Sequence, residues 1–400
     1  MKRQWINWPA QVAALTRFAF WSLPRRKGSV AVTVVGIAGV VAVFVGTFSI
    51  AEGFRQVLQK SGAPDRAVVM RSGADTELTS FLRREETRII ADAPGVRRRR
   101  GRPLCSAELF VIVNLPKRKT GMDVTVPLRG VHSEAFWVHQ GVRLVAGRRF
   151  VPGRNEIIVG RGALAVCRGL ELGSQVKLGR VRWRVVGVFE ADGGVEESEI
   201  WTDARLLQSV YQRGTTYQSV QVQLESAEAF DRFQAALERD PRLNVKVLRQ
   251  TDYYADQSRV VTRLVTGLGG LIAGLMALGA MFGAVNTMYA AVAARRRELA
   301  TLRALGFSGG PLIVSVVIES VAIALAGGVL GGAVAYAGFD GLQTATMNWQ
   351  SFSQVAFAFR VTPSILARGL ACATLVGLAG GLWPAIRAAR VPVAAALREL

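Results

Sequence analysis

The stretch Leu264–Ala294, with the sequence LVTGLGGLIAGLMALGAMFGAVNTMYAAVAA, contains 31 consecutive residues without a charged side chain. A helix of about 20 apolar residues crosses a bilayer core about 30 Å thick, so this stretch is long enough to span a membrane. Residues 28–51, 304–339 and 369–386 form three further apolar stretches, and Glu319 is the only acidic residue in any of the four. We therefore predict four transmembrane helices, one before and three after a long intervening block.

Charged residues concentrate in that block. Residues 52–259 hold 34 of the 50 Lys and Arg residues and 25 of the 29 Asp and Glu residues. The chain as a whole is 50% hydrophobic, with a mean hydropathy of +0.27. This segregation predicts a water-facing domain large enough to bury its own core, attached to an apolar membrane part. It excludes disordered, collagen-like and coiled-coil proteins and argues against a purely cytosolic enzyme.

The short segments that flank the spans predict the orientation. Residues 1–27, 295–303 and 387–400 together carry 13 positive charges, whereas the loop 340–368 carries only Arg360 and Arg368. The positive-inside rule then places both termini in the cytoplasm and the long charged block outside. We predict a multi-pass membrane protein. The first apolar stretch is longer than the roughly 7 to 15 residues of a signal peptide, which favours an uncleaved anchor over a cleaved leader.

These assignments divide the chain into nine segments. They are an amphipathic cytoplasmic leader that contacts membrane lipid (1–27), a first span (28–51), an extracytoplasmic domain (52–259), a second span with a stalk (260–294), a cytoplasmic coupling segment (295–310), a third span (311–339), an external loop (340–364), a fourth span (365–386) and a cytoplasmic tail (387–400).

The extracytoplasmic block has a mixed pattern. Val181–Phe189 and Leu109–Val113 are β-rich runs of partly alternating polarity, whereas Phe230, Phe233 and Leu237 have helical spacing. We predict an α+β domain, or two small ones. The fold class is therefore a membrane-embedded α-helical protein with an α+β domain inserted between its first and second spans.

Two features of the block have more than one interpretation. The run Arg97–Arg100 lacks interleaved aromatic residues, so a solvated turn or a contact with anionic lipid is favoured over a nucleic-acid partner. Cys105 and Cys167 fall on the same oxidising side of the membrane, and the spacing leaves a disulfide between them open.

The sequence contains no complete motif for catalysis: residues 306–310 match G-x-S-x-G, but no histidine follows Ser308 in the chain. The phosphate-binding pattern GxxxxGK[ST] does not occur in the 400 residues, and His132 and His139 have no Cys at ligand spacing. We predict a non-catalytic chain with no cofactor or metal.

The second apolar stretch is long enough for a stiff rod. If its helix starts near Thr251, it extends well beyond the bilayer, although a break at Gly269–Gly270 would also explain the excess length. Glycines four residues apart predict close helix packing within the subunit or between two subunits. These glycines are Gly270, Gly274, Gly279, Gly283, Gly327, Gly328, Gly331 and Gly332.

An ionisable residue inside a span is a functional candidate. Residue spacing places Glu319 at about the depth of Asn286, some 12 to 14 Å from the cytoplasmic face. We predict a hydrogen bond from Asn286 to Glu319, with Thr287 as the second choice. A substrate or proton site at Glu319 is the alternative interpretation.

The segment Arg295–Gly306, RRRELATLRALG, predicts a short amphipathic helix with a basic rim. We expect its leucines to be exposed and therefore to require a partner, whereas an ordinary basic hairpin lying on lipid is the alternative. The candidate contact residues are Arg295, Arg296, Arg297, Glu298, Leu299, Thr301, Leu302, Arg303, Leu305 and Gly306.

Several of these stretches resemble a known family. The residues Asn286–Tyr289, Arg297–Gly306 and Glu319–Ser320 resemble the FtsX-like permease domain of MacB-type ABC transporters, and the tail Gly380–Arg390 is similar to the ending of that domain. Upstream, Gly147–Phe150 and Arg184–Phe189 resemble the periplasmic core domain of the same family, so the chain is similar to DevC-like stand-alone permeases.

The resemblance implies a location in the bacterial inner membrane, a mechanism and a set of partners. Two permease chains, identical or different, pair. The 295–306 helix contacts a separate cytoplasmic ABC ATPase that binds ATP and Mg²⁺, and nucleotide-driven closure moves the external domains. This mechanism is called mechanotransmission.

Two functions are compatible with the resemblance. One is export of a lipid, glycolipid, peptide or drug through a periplasmic adaptor and an outer-membrane conduit. The other is a non-transporting regulator that switches a cell-wall hydrolase. Capture of an adaptor or of a hydrolase by the external domain would separate them.

Overall fold

The computed structural model describes residues 8–139, 141–305, 307–348 and 353–390. The chain divides into two compact units. The helical unit comprises Met1–Glu52, Leu264–Leu342 and Phe359–Leu400, and the mixed unit comprises Gly53–Arg263 and Gln343–Ala358.

The α-helices of the described residues are numbered α1 to α11 in chain order. They are α1 Trp8–Ser22, α2 Lys27–Ser61, α3 Arg84–Ala91, α4 Ala135–Val138, α5 Arg161–Val166, α6 Ala204–Val210, α7 Ala229–Glu238, α8 Gln250–Ala294, α9 Arg296–Ala304, α10 Gly309–Phe339 and α11 Pro363–Arg390.

The strands of the same residues are numbered β1 to β16. They are β1 Arg66–Arg71, β2 Leu82–Arg83, β3 Arg98–Arg99, β4 Arg102–Pro103, β5 Cys105–Pro116, β6 Asp123–Val131, β7 Arg143–Gly147, β8 Glu156–Gly160, β9 Gln175–Leu178, β10 Val181–Glu190, β11 Ile200–Asp203, β12 Thr216–Tyr217, β13 Ser219–Gln223, β14 Val245–Arg249, β15 Gln343–Asn348 and β16 Ser353–Ala358.

Four helices of the described part of the chain, α2, α8, α10 and α11, are long and apolar enough to cross a membrane. This confirms the predicted arrangement of one span followed by three. Helix α8 is continuous through Gly269–Gly270, so the predicted alternative of a break there is wrong. Its 45 residues correspond to a length of about 68 Å at 1.5 Å per residue.

Glycines let three spans of the helical unit approach closely. A Cβ atom added at Gly331 would lie 2.3 Å from the carbonyl oxygen of Ala38 on α2, and one added at Gly327 would lie 2.8 Å from that of Val34. The neighbouring glycines of α10 face α11 instead. Added Cβ atoms at Gly328 and Gly332 would lie 2.9 Å from Ala373 Cβ and 3.3 Å from Leu366 Cδ2. Helix α10 therefore packs tightly on two sides.

The glycines of α8 singled out from the sequence behave differently. Atoms added at Gly270, Gly274, Gly279 or Gly283 would meet nothing within 4 Å. Gly269, which the spacing pattern missed, is the tight position, since its added Cβ would lie 1.9 Å from Thr47 Cγ2. Packing of the four open glycines against a second subunit stays a prediction.

One ten-stranded sheet organises the mixed unit, with the order β14-β1-β13-β5-β6-β11-β8-β10-β7 and with β9 paired to β10. Strand β5 joins its two halves. Its first residues, Cys105–Glu108, pair with β13, and the residues from Leu109 onward pair with β6. Separate hydrophobic clusters lie on the two sides of this joint, one around Phe233 and Val220 and one around Trp183 and Leu128.

The structure corrects one prediction about this unit and decides a second question that the sequence left open. The middle of the predicted external loop 340–364 forms the hairpin β15–β16, which belongs to the mixed unit, where the backbone N–H of Ala356 donates to Ser198 Oγ at 2.9 Å. Cys105 and Cys167 are both free thiols. Cys167 lies in the cluster of Trp183, whereas Cys105 packs against the cluster of Phe233, so the disulfide left open by the spacing does not form.

We expect the substitution Gly331→Ala to lower the thermal unfolding temperature of the full-length protein in detergent. The new methyl group must displace the backbone of α2, and overpacking of this kind costs about 1–3 kcal/mol. Gly338→Ala is the matched control on the same helix, because an atom added there meets nothing within 4 Å. Alanine favours a helix over glycine by about 1 kcal/mol, so this variant should be as stable as the wild type or more stable. Equal melting temperatures for both variants would contradict the close contact.

Candidate functional site

A buried ion triad lies within the helical unit. The Glu319 Oε1 atom accepts hydrogen bonds from Arg26 Nη2 at 2.5 Å and from Arg295 Nη2 at 3.1 Å. The exposed fractions of the three side chains are 3% for Glu319, 17% for Arg26 and 11% for Arg295. We call these three residues the Glu319 triad.

The triad joins three elements of the membrane part. Arg26 ends the short 3-10 helix that precedes α2, Arg295 lies at the boundary between α8 and α9, and Glu319 lies in α10. Away from water, opposite charges attract strongly, and an unpaired charge is costly. The carboxylate therefore holds the start of α2 and the end of α8 against α10.

The predicted partners of Glu319 are wrong. Asn286 is exposed, and the Thr287 hydroxyl accepts a hydrogen bond from Thr33 Oγ1 at 2.8 Å and donates to the Gly283 carbonyl oxygen at 2.9 Å. The depth argument considered residues at the same level along the helices. It left out the length of the arginine side chain, which lets a guanidinium reach a carboxylate from a helix end. A charged guanidinium also binds a buried carboxylate more strongly than a neutral amide does.

Helix α9, the predicted coupling helix, begins directly after Arg295 of this triad. Leu299 and Leu302 pack against a cluster of Leu15, Leu312 and Ala388, so these two leucines are covered within the chain, contrary to the expectation of an exposed apolar face. Leu305, by contrast, is 74% exposed.

The remaining predicted coupling residues fall into three groups. Glu298 and Thr301 are exposed, and Arg303 is half-buried. Arg296 and Arg297 are helical, although nothing is described of their side chains. Gly306 lies outside the described residues.

The mixed unit contains a second buried ionic cluster, which the sequence analysis missed. Arg129 donates to three carboxylates: to Glu77 Oε1 at 2.9 Å and Glu108 Oε2 at 2.8 Å through Nη1, and to Glu199 Oε1 at 2.7 Å through Nη2. All four side chains are at most 7% exposed. The residues are far apart in the sequence and follow no recognisable spacing, so no local pattern could have revealed them.

His139 extends this cluster. Its Nε2 atom lies 2.9 Å from Glu108 Oε1, and its Nδ1 atom lies 3.4 Å from Glu196 Oε1. Burial by itself lowers the pKa of His139, but the carboxylates of Glu108 and Glu196 outweigh it and raise the pKa to about 9. Burial acts to raise the pKa of Glu108, but His139 and Arg129 lower it to about 2.

The cluster lies at the joint of the ten-stranded sheet. Glu108 is the last residue of β5 that pairs with β13, and the next residue pairs with β6. Arg129 of β6 lies opposite Phe110 of β5. The Ser219 hydroxyl of β13 donates to Glu77 Oε1 at 2.5 Å. The two halves of the sheet are thus tied together by charge as well as by backbone hydrogen bonds.

Two family descriptions match this chain. The MacB-like periplasmic core domain matches residues 30–240, and the FtsX-like permease C-terminal domain matches residues 270–393. The family resemblance inferred from the sequence is confirmed by these matches.

The chain is similar to curated proteins along nearly its whole length. It is 25% identical to the uncharacterized ABC transporter permease YknZ of Bacillus subtilis, with 96% of this chain and 98% of YknZ covered. It is 26% identical to the macrolide export ATP-binding/permease protein MacB 1/2 of Paracoccus denitrificans. That alignment covers 97% of this chain but only 59% of the relative, so this chain spans about three fifths of the MacB protein.

Two solved structures are also similar. The extracellular domain of YknZ from Gram-positive bacteria has 18% identity and a TM-score of 0.35, with 46% of this chain and 99% of that chain covered. The periplasmic region of MacB from Actinobacillus actinomycetemcomitans has 13% identity and a TM-score of 0.37, with 50% and 96% covered.

We expect Glu319→Gln to destabilise the helical unit by about 3 kcal/mol, because two buried guanidinium groups lose their counter-charge. The measurement is thermal unfolding of the full-length protein in detergent. Glu298→Gln is the control, since Glu298 is exposed on α9 and its loss should leave the melting temperature unchanged. If the two variants melt together, the triad does not hold the helices.

The His139 pKa predicts a loss of stability at alkaline pH. The folded-state pKa of about 9 lies above the unfolded value of about 6.5. The protonated ring therefore stabilises the fold fully below about pH 6.5, and this stabilisation, on the order of 3 kcal/mol, is lost as the pH rises through 9. We expect the wild-type melting temperature to fall over this range.

The other histidine of the sequence supplies the control. His139→Gln should be less stable at pH 6 and should show a flatter pH profile between 6.5 and 9. His132→Gln, which alters a half-buried ring outside the cluster, should keep the wild-type slope. A wild-type slope in the His139 variant would be incompatible with a protonated His139.

Proposed function

Because this chain belongs to the FtsX-like permeases with a MacB-like periplasmic core domain, and is thus an ABC transporter permease, we propose that it works by mechanotransmission for export. In this mechanism, a separate cytoplasmic ATPase moves α9, and the helical unit passes that movement on to the domain outside the membrane. The substrate is a lipid, glycolipid, peptide or drug that moves outside the membrane and does not pass between the helices.

The Glu319 triad is the observation that carries the proposal. Arg295 immediately precedes α9 and is bound to Glu319 of α10, which also binds Arg26 at the start of α2. The leucine cluster of α9 with Leu15 and Leu312 provides a second, apolar attachment. A force applied to α9 therefore acts on several spans at once instead of bending a loose loop.

The long helices support transmission beyond the membrane part. Helices α2 and α8 are continuous over 35 and 45 residues, and each includes residues of both units. A continuous helix transmits an axial displacement because its backbone hydrogen bonds resist stretching. We therefore assign the role of the predicted rod to α8, with α2 as its counterpart.

The orientation follows from the charge distribution. The positive-inside rule places both termini and α9 in the cytoplasm and the mixed unit outside. The ATPase partner is a separate chain in this proposal, which is supported by the similarity of this chain to 98% of the length of YknZ, a protein named a permease. The MacB relatives, which are named ATP-binding/permease proteins, are longer than this chain.

The proposed assembly has two copies of the permease, identical or different. Gly270 and Gly274 lie on one side of α8 and Gly279 and Gly283 on the other, and each pair leaves room for close contact with a second membrane helix. A periplasmic adaptor and an outer-membrane conduit complete the export path.

Leu305 is the residue that best tests the ATPase contact. An aspartate at this 74% exposed position removes apolar area that a partner would bury, worth about 2 kcal/mol, and adds a charge that the contact would have to desolvate. We expect Leu305→Asp to abolish most of the stimulation of the partner ATPase in proteoliposomes, with at least tenfold weaker binding of the ATPase. The variant should retain the wild-type melting temperature.

Two variants separate the contact from general damage. Leu172→Asp introduces the same change at a leucine of the mixed unit that is 51% exposed, and should leave ATP turnover unchanged. Leu302→Asp should reduce turnover and also lower the melting temperature, because Leu302 is packed in the α9 cluster. Normal stimulation by the Leu305 variant would rule out this helix end as the docking point.

A further inference from the structure

The mixed unit contains a cleft with a volume of about 830 Å³. One wall is a single face of α3, on which Arg84 and Arg88 are one helical turn apart. The start of α6 contributes Arg205 and Leu206 to the lining, and β5 contributes Ala107. A volume of this size is typical of sites that hold a small molecule.

The positive charges of the cleft are available to a ligand. Within the described parts of the chain, the guanidinium groups of Arg84, Arg88 and Arg205 form no ion pair. The two acidic side chains of the cleft already have donors. Asp203 accepts from the backbone N–H groups of Gly153 at 2.9 Å and Arg205 at 3.3 Å, and Glu134 accepts from the Ser133 hydroxyl at 2.9 Å.

The rest of the lining is neutral. The His132 Nε2 atom lies 3.0 Å from the Tyr217 hydroxyl, and Tyr217 is buried. Burial lowers the pKa of His132, which favours the neutral form of the ring. Leu206 and Ala107 add an apolar surface. The cleft therefore combines three arginines that form no ion pair with any described residue, the hydrogen-bonded side chains of His132 and Tyr217, and an apolar surface.

We propose that this cleft binds a small amphiphile with a phosphate head group. The planar fork of a guanidinium matches phosphate oxygens, so the arginines of the lining bind the head group while the apolar part of the ligand lies on Leu206 and Ala107. The same chemistry is offered by the head group of a phospholipid or glycolipid and by a free phosphate compound. This assignment does not depend on the coupling role of α9.

The test measures binding to the full-length protein in an uncharged maltoside detergent by isothermal titration calorimetry. Hexyl phosphate is the probe, 1-hexanol is its uncharged counterpart, and inorganic phosphate lacks the apolar part. We expect saturable binding of hexyl phosphate and no binding of 1-hexanol. Binding of inorganic phosphate with equal affinity would identify a free phosphate compound as the ligand, and much weaker binding would identify an amphiphile.

Three variants locate the site. Each of Arg84→Ala, Arg88→Ala and Arg205→Ala should weaken hexyl phosphate binding about tenfold, because each removes a charge-assisted hydrogen-bond donor worth at least about 1.4 kcal/mol. The control Arg182→Ala changes an exposed arginine that does not line the cleft and should bind like the wild type. Saturation by 1-hexanol, the absence of saturable binding, or unchanged affinity in all three variants would each overturn the proposal.

Discussion

The carboxylate of Glu319 lies between two guanidinium groups in a part of the protein from which water is largely excluded. Each of the three charges would be costly alone, and together they bind the start of α2, the end of α8 and the middle of α10 to one point. The glycine contacts of α10 with α2 and α11 add dispersion attraction along the same helices, but dispersion does not specify which groups must meet. The ion triad specifies which groups meet, and the proposed coupling through α9 depends on it.

The mixed unit also contains a buried ionic cluster, which joins the two halves of its sheet. Arg129 and His139 lie among four buried carboxylates at the point where β5 passes from one half of the sheet to the other. Such a cluster contributes less to net stability than an apolar core of equal volume, since burial of the ions is costly. Its value is geometric, because charged partners tolerate little displacement.

Sequence patterns predicted the architecture well, because the constraints behind them are local. Four uncharged stretches predicted four spans, and β-rich runs such as Val181–Phe189 fall on observed strands, here β10. The short helix α9 was also predicted, but the predicted exposure of Leu299 and Leu302 was wrong. Whether Leu299 and Leu302 face solvent depends on α1 and α10, which are distant in the chain. Likewise, spacing identified Gly327 and Gly331 as packing residues but missed Gly269, whose close neighbour is Thr47.

The sequence by itself determined what each segment can tolerate: a run without charges must be buried in lipid or protein, and a charged block must face water. Only the tertiary structure decided which side chains meet. Arg26, Arg295 and Glu319 come from three separate segments, and the residues around Arg129 lie more than 120 positions apart at their extremes. Ionic attraction acts over a few ångströms in space whatever the distance along the chain, so pairs of this kind have no signature in residue spacing.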